Sequence, residues 1–223
     1  MGSTLWSDDS YKSLKSDYST KPVDKVFVNK TMVSEMSPKN VKFREARDSD
    51  VHPESLGVMV WLDVTGSMGS IPEALARHKL GSLMKTMLDH GLPDAQVFFG
   101  AIGDQYSDEY PLQVGQFEAG TEELDKWLTS VVLERGGGAQ DMESYQLAWL
   151  FAARHTSLDC FEKRNEKGFL FTIGDEWMHP TVEPEFVEGI LGYRPQTAFK
   201  SEDLLREAQR MYNVFHLHIH ETT

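Results

Sequence analysis

From residue 56 onward, long apolar runs alternate with amphipathic stretches, and the spacing assigns a secondary structure to each. Residues 56–62, 96–103 and 169–175 are near-continuously apolar, as strands covered on both faces of a parallel sheet must be. Residues 112–117 follow the second run after a short polar turn. A connection that short cannot make a parallel crossover, so the strand should be antiparallel and at a sheet edge. Between the runs lie helical periods. Residues 70–90 open with Ser70 and Glu73 at capping-box spacing and carry Ala76, Leu80, Leu83, Met84, Met87 and Leu88 on one stripe. Gly91 and Pro93 end that helix. Thr121 reads as the cap of a helix bearing Leu124, Trp127, Leu128, Val131 and Val132. Residues 142–155 form a strongly apolar helix with Tyr145 and Trp149, 183–191 a short helix, and 201–211 an amphipathic one. A last strand, 214–220, places His216, His218 and His220 on one face and Phe215, Leu217 and Ile219 on the other. The order predicts an α/β fold of three layers with a mostly parallel central sheet.

Residues 1–50 differ from this rhythm. They are rich in Ser, Lys and Asp, with one strand-like patch at residues 25–28 and a stretch of both charge signs at 44–50. They read as an N-terminal extension that wraps the core or meets a partner, or as a solvated arm anchored by Trp6, Tyr11, Tyr18 and Phe43.

Composition narrows the function. The 223 residues hold 40% hydrophobic and 11% aromatic side chains, enough for one core. Thirty-five acids against 22 bases give a net charge of −13, which argues against a nucleic-acid partner and favours cation binding. The single cysteine, Cys160, suits a reducing compartment and reads as a small buried apolar residue. No stretch is long and apolar enough to span a bilayer and the first ten residues are polar, so the expectation is a cytoplasmic protein with no membrane partner.

Each of the three long apolar runs ends on an aspartate: Asp63, Asp104 and Asp175. In a parallel sheet those carboxylates gather at the carboxyl ends of the strands, where open α/β sheets bind ligands. The first run continues Asp63-Val64-Thr65-Gly66-Ser67-Met68, setting two hydroxyls two and four residues beyond the acid. Carboxylate and hydroxyl oxygens are hard ligands suited to Mg²⁺.

Asp63-x-Thr65-x-Ser67, a later Gly-rich loop and a strand ending Ile173-Gly174-Asp175 together resemble a von Willebrand factor type A (vWA) domain, in particular its intracellular bacterial and phage versions. The resemblance runs from residue 56 to the C-terminus. It implies a Rossmann-like three-layer fold for residues 51–223, with one antiparallel edge strand, behind the extension of residues 1–50. It also implies a metal-ion-dependent adhesion site. Thr65 and Ser67 would coordinate Mg²⁺ directly, with Mn²⁺ or Ca²⁺ as substitutes, while Asp63 and Asp175 supply charge directly or through water. Neutral ligands leave the ion electrophilic, so an Asp or Glu of a partner protein can complete its shell. In the bacterial branch such partners include ring-forming ATPases and assembly components.

Two departures accompany the resemblance. The family's loop threonine is absent from Gly-Gly-Gly-Ala-Gln-Asp-Met-Glu-Ser, so its oxygen falls to Gln140, Asp141, Glu143 or Ser144, with Glu143 favoured. Glu143 and Asp141 equally suit capping of the following helix. Members of the family also continue with a further strand and helix. Asp104 is either an outer-shell acid beside Asp63 or the start of an acidic turn with Asp108 and Glu109. The three C-terminal histidines could ligate Zn²⁺, although a polar face explains them as well.

The competing reading is an enzyme, a haloacid dehalogenase-like phosphatase with Asp63 as nucleophile and Gly174-Asp175 as its later motif. Such enzymes place a second acid two residues after the nucleophile and another four residues past the later motif. This chain has Thr65 and His179 there, which favours a non-enzymatic binding module. A third reading is an assembly component whose site has lost its role.

Overall fold

A computed structural model describes residues 4–66, 68, 70–134 and 142–220. Five strands form the central sheet: β1 (Leu56–Asp63), β2 (Ala95–Ile102), β3 (Leu112–Glu118), β4 (Gly168–Gly174) and β5 (Tyr212–His218). Their spatial order is β5-β4-β1-β2-β3. All neighbours run parallel except β3, which pairs antiparallel with β2 at one edge, as the short turn before it requires. Every residue of β1 and β2 is buried, which explains their uninterrupted apolar runs.

Helices cover both faces, giving the three-layer Rossmann-like α/β fold. Alternate residues of β1 point opposite ways. Met59 and Trp61 enter one core with Phe98, Phe117 and Phe151, the rings of Trp61 and Phe98 lying 4.9 Å apart. Val58, Val60 and Leu62 enter the other. The N-terminal helix α1 (Asp8–Tyr18), α2 (Leu80–Asp89) and α3 (Thr121–Thr129) accompany the second core. The first core carries α4 (Tyr145–Arg154), α5 (Pro184–Leu191) and α6 (Ser201–Met211). Cys160 is fully buried, as a small core residue.

Several local expectations need correction. The segment at residues 25–28 is no strand: Val23–Val26 is one helical turn, with Val26 and Phe27 buried. Residues 8–18, unassigned by periodicity, are helical, with Ser7 accepting a hydrogen bond from the Ser10 N–H and Asp8 and Asp9 in the first turn. Thr121 is not a cap. Its hydroxyl accepts from the Ser7 N–H at 2.8 Å and donates to the Ser7 carbonyl at 3.1 Å, so it ties the extension to the core. The helix before β2 is interrupted by a π-helical turn, Leu75–Lys79, and Glu73 pairs with Arg77 at 2.7 Å. Leu88, placed on the buried stripe by its spacing, is exposed. The helix expected at 142–155 begins only at Tyr145, because Met142–Glu143 extends as a two-residue strand beside Trp177–Met178.

The extension is tied to the core at several points, with Tyr18, Val26, Phe27, Met36 and Val41 buried, while Phe43, expected as an anchor, is exposed. Arg44–Ala46 pairs in parallel with Thr156–Leu158. The mixed charges around it are partnered: Arg47 bonds Asp159 and Glu162, and Asp48 bonds Arg164 and Lys163. Tyr18 donates to Asp125 at 2.7 Å in a buried contact.

Candidate functional site

Parallel alignment of β1, β2 and β4 brings their carboxyl ends together. Asp63 is the last residue of β1, Asp104 lies two past β2, and Asp175 directly follows β4. Asp63 is fully buried. Its Oδ1 accepts from the Thr65 N–H at 2.9 Å and the Thr65 hydroxyl at 2.6 Å, and its Oδ2 from the Tyr145 phenol at 3.3 Å. The Thr65 side chain thus sits between two carboxyls, bonded to Asp63 and within reach of Glu143, with lone pairs of Oγ1 left for another electrophile. Ser67, Gln140 and Asp141 lie outside the described residues.

Glu143 is held beside this acid by the strand pair that replaced the expected first helical turn. Met142 and Glu143 face Trp177 and Met178 in register, and the backbone N–H of Ser144 donates to the Gly103 carbonyl at 3.3 Å. The side chain is buried and its Oε2 has no hydrogen-bond partner among the described residues. Burial, followed by the charges of Asp63, Asp108 and Asp104, pushes the Glu143 carboxyl up to about 9 against a weaker opposing pull from the Thr65 side chain. Burial and, more weakly, the Asp175 charge push Asp63 up to about 6 against the opposing pull of its Thr65 bonds. These groups repel one another when ionised in a place with little water to screen them.

Asp104 does what a turn-forming aspartate does and something more. It accepts from the Tyr106 N–H at 3.2 Å and the Ser107 hydroxyl at 2.8 Å, closing the acidic turn. It also pairs with His179 Nε2 at 2.7 Å, both side chains being buried. In the sequence, His179 stands out only as the position where a phosphatase would carry an acid. Tyr145 reads in sequence as an apolar helix residue, and nothing in its spacing reveals the phenol on Asp63. Gly174 permits that approach, since a Cβ there would land on the Tyr145 hydroxyl.

His216 and His218 share one side of β5, which ends at His218 and not at the expected residue 220, so His220 lies beyond the strand; all three line a hollow with Tyr145 and Asp175. Their ring centroids are 6.1 and 4.6 Å apart in succession. Among the described residues, no three His, Cys, Asp or Glu side chains converge as a metal cage built from them alone requires. An ion at Asp63 would therefore lean on hydroxyl and water oxygens as well as carboxylates. That donor set, with the partnerless Glu143 oxygen, fits Mg²⁺.

No protein-family model matches the chain. No curated protein matches it either. Solved structures do. The pilus adhesin SpaC of Lactobacillus rhamnosus GG in its open conformation aligns at 10% identity and TM-score 0.39, covering 58% of this chain and 15% of the adhesin. A second form of SpaC aligns at 12% identity and TM-score 0.38 over 60% and 17%. An aerotolerance-related membrane protein of Bacteroides fragilis, carrying multiple mutations to serine, aligns at 13% identity and TM-score 0.35 over 74% and 92%. The chain thus spans a small fraction of the adhesin's length, and likeness at this level carries no functional weight. Among the described residues no helix is long and apolar enough to cross a membrane.

Proposed function

We propose that this chain is a metal-dependent protein-binding module of the vWA type rather than an enzyme. Asp63, Thr65, Ser67 and Asp175 hold Mg²⁺, and Glu143 takes the place of the missing loop threonine. The ion supplies an electrophilic position at the sheet's carboxyl edge for an Asp or Glu of a partner protein. Around it, Thr65 orients Asp63, Tyr145 fixes the second Asp63 oxygen, and Asp104 with His179 braces the neighbouring turn.

The observation that carries this reading is the buried Glu143 Oε2, without a hydrogen-bond partner among the described residues, in a site where both Glu143 and Asp63 are driven to hold protons. A divalent cation is the group that lets both ionise together. The burial of Asp63 and the donors on both its oxygens suit a ligand better than a nucleophile, which needs an accessible oxygen.

Calorimetric titration of Mg²⁺ and Mn²⁺ into metal-stripped protein tests the proposal, with wild type beside Ser67→Ala and Glu143→Gln. Binding that weakens in both variants supports it. Binding unaffected by Ser67→Ala places the hydroxyl outside the metal shell, as a phosphatase would have it. No binding by wild type rejects an autonomous metal site.

A further inference from the structure

The three C-terminal histidines have no part in the metal site proposed above, and the structure sets them at two unequal spacings. His216 and His218 stand two apart within β5, with ring centres 6.1 Å apart. His218 and His220 are also two apart, but the strand ends at His218, and there the ring centres close to 4.6 Å with the planes 77° apart. The Ile219 N–H between them donates to the Gly174 carbonyl at 2.8 Å, so the chain stays fastened to the end of β4 where it leaves the strand. His216 is engaged differently: its Nδ1 meets the Thr172 hydroxyl at 3.0 Å and its ring packs edge-on against Tyr145.

We propose that His218 and His220 form a second cation site, one for a borderline divalent transition ion such as Zn²⁺ or Cu²⁺, with water completing its shell. Imidazole nitrogens suit these ions, with affinity greatest for Cu²⁺, whereas Mg²⁺ prefers oxygen. Metal–imidazole bonds of about 2.0–2.1 Å set the centres of two rings on one ion about 4.5–5.2 Å apart, for bond angles of about 90–109°. The His218–His220 spacing of 4.6 Å falls in that range, and the His216–His218 spacing of 6.1 Å does not. A regular strand holds alternate side chains too far apart for this, and the end of β5 removes that obstacle. Both rings are exposed, so rotation about their soft terminal torsions aims one nitrogen of each at a shared ion. The same exposure admits the water ligands. None of the proposed Mg²⁺ ligands takes part, so this site stands or falls independently of that reading.

The experiment titrates Zn²⁺ calorimetrically into the full chain at pH 7.5, above the ordinary imidazole pKa of about 6.5, with excess Mg²⁺ present to occupy the oxygen site. Wild type is set beside His218→Asn, His220→Asn and His216→Asn, each checked for folding by circular dichroism. Zn²⁺ should bind wild type, one ion per chain, despite the Mg²⁺. Loss of either ligand should weaken it at least about tenfold, the least that outer-shell partners alone are worth. His216→Asn should leave it unchanged. Cu²⁺ forms a spectroscopic arm: its EPR spectrum should show coupling to imidazole nitrogen in wild type and lose it when both ligands are replaced. Absence of binding, binding abolished by Mg²⁺, or equal binding in wild type and both folded ligand variants overturns the proposal. An equal loss in His216→Asn overturns the pair in favour of a three-histidine site. Titrating Mg²⁺ alone into the same variants separates the two readings, since the histidine changes should leave that binding intact.

Discussion

Glu143 and Asp63 tie their own ionisation to the stability of the fold. Both carboxyls hold their protons more tightly in the folded chain than at the ordinary values of 4.5 and 3.8, reaching about 9 and about 6. The folded state therefore binds more protons than the unfolded state between those limits, and stability contributed by these groups is lost as pH rises through them. Metal-free protein should melt at progressively lower temperature from pH 4.5 to pH 9, the Asp63 part being spent first. Mg²⁺ should restore the melting temperature at pH 8 and do little at pH 5, where protons occupy the site. Thermal melts across that range with and without Mg²⁺ decide the matter; a flat metal-free profile would remove the case for a strained acid pair. Glu143→Gln keeps the shape but removes an acid that the folded chain must keep protonated at pH 8. It should stabilise the metal-free protein at pH 8 by about 1–3 kcal/mol and abolish the gain from Mg²⁺.

At the scale of elements, the extension is the part whose attachment is most open to test. Tyr18→Phe deletes the donor to Asp125, a carboxylate already pushed upward by burial. Loss of that bond should cost about 1–3 kcal/mol in urea unfolding and expose residues 8–18 to protease before the sheet opens. Gly81→Ala acts on the same seam, since a Cβ there would strike the Tyr11 ring. A helical Gly-to-Ala change normally adds about 1 kcal/mol of stability, so a net loss in this variant would report the docked arm. The same seam shows where sequence reading stops. The strands, their order of direction and the α6 boundaries were legible because burial on both faces leaves a continuous apolar run and a helix leaves a period. Thr121 was not legible as an anchor, because its partner Ser7 lies 114 residues away. The cap at Ser7 and the acids after it were visible signals, but α1 has too few apolar residues for periodicity to pick out. Glu143 was reached as a candidate oxygen while its strand was missed, since a two-residue strand has no period. The buried phenol on Asp63 left no trace in spacing at all.

At the scale of the whole molecule, one edge of the sheet has no covering strand among the described residues. β5 pairs only with β4 among the described residues, and none of its seven residues is Lys, Arg, Asp, Glu or Pro. Phe215 and Leu217 remain 46% exposed, and Leu217 continues an apolar groove over Phe171 and Ile173. Unprotected edges of this kind template pairing with other strands. Mutual repulsion from the net charge of −13 opposes such contact at low salt, and at 1 M salt, where the screening length is about 3 Å, it no longer does. Wild type should therefore stay monomeric in dilute buffer and self-associate as salt rises, a trend that sedimentation velocity follows directly. Leu217→Lys separates the edge from the overall charge. It moves the net charge one unit toward zero, which on charge alone would promote association, yet it places an ammonium on the exposed strand. If β5 is the sticky edge, the variant should resist association at high salt while its folding stability changes by less than about 0.5 kcal/mol, as for most surface substitutions. Association equal to or greater than wild type would show that the contact forms elsewhere and that net charge governs it.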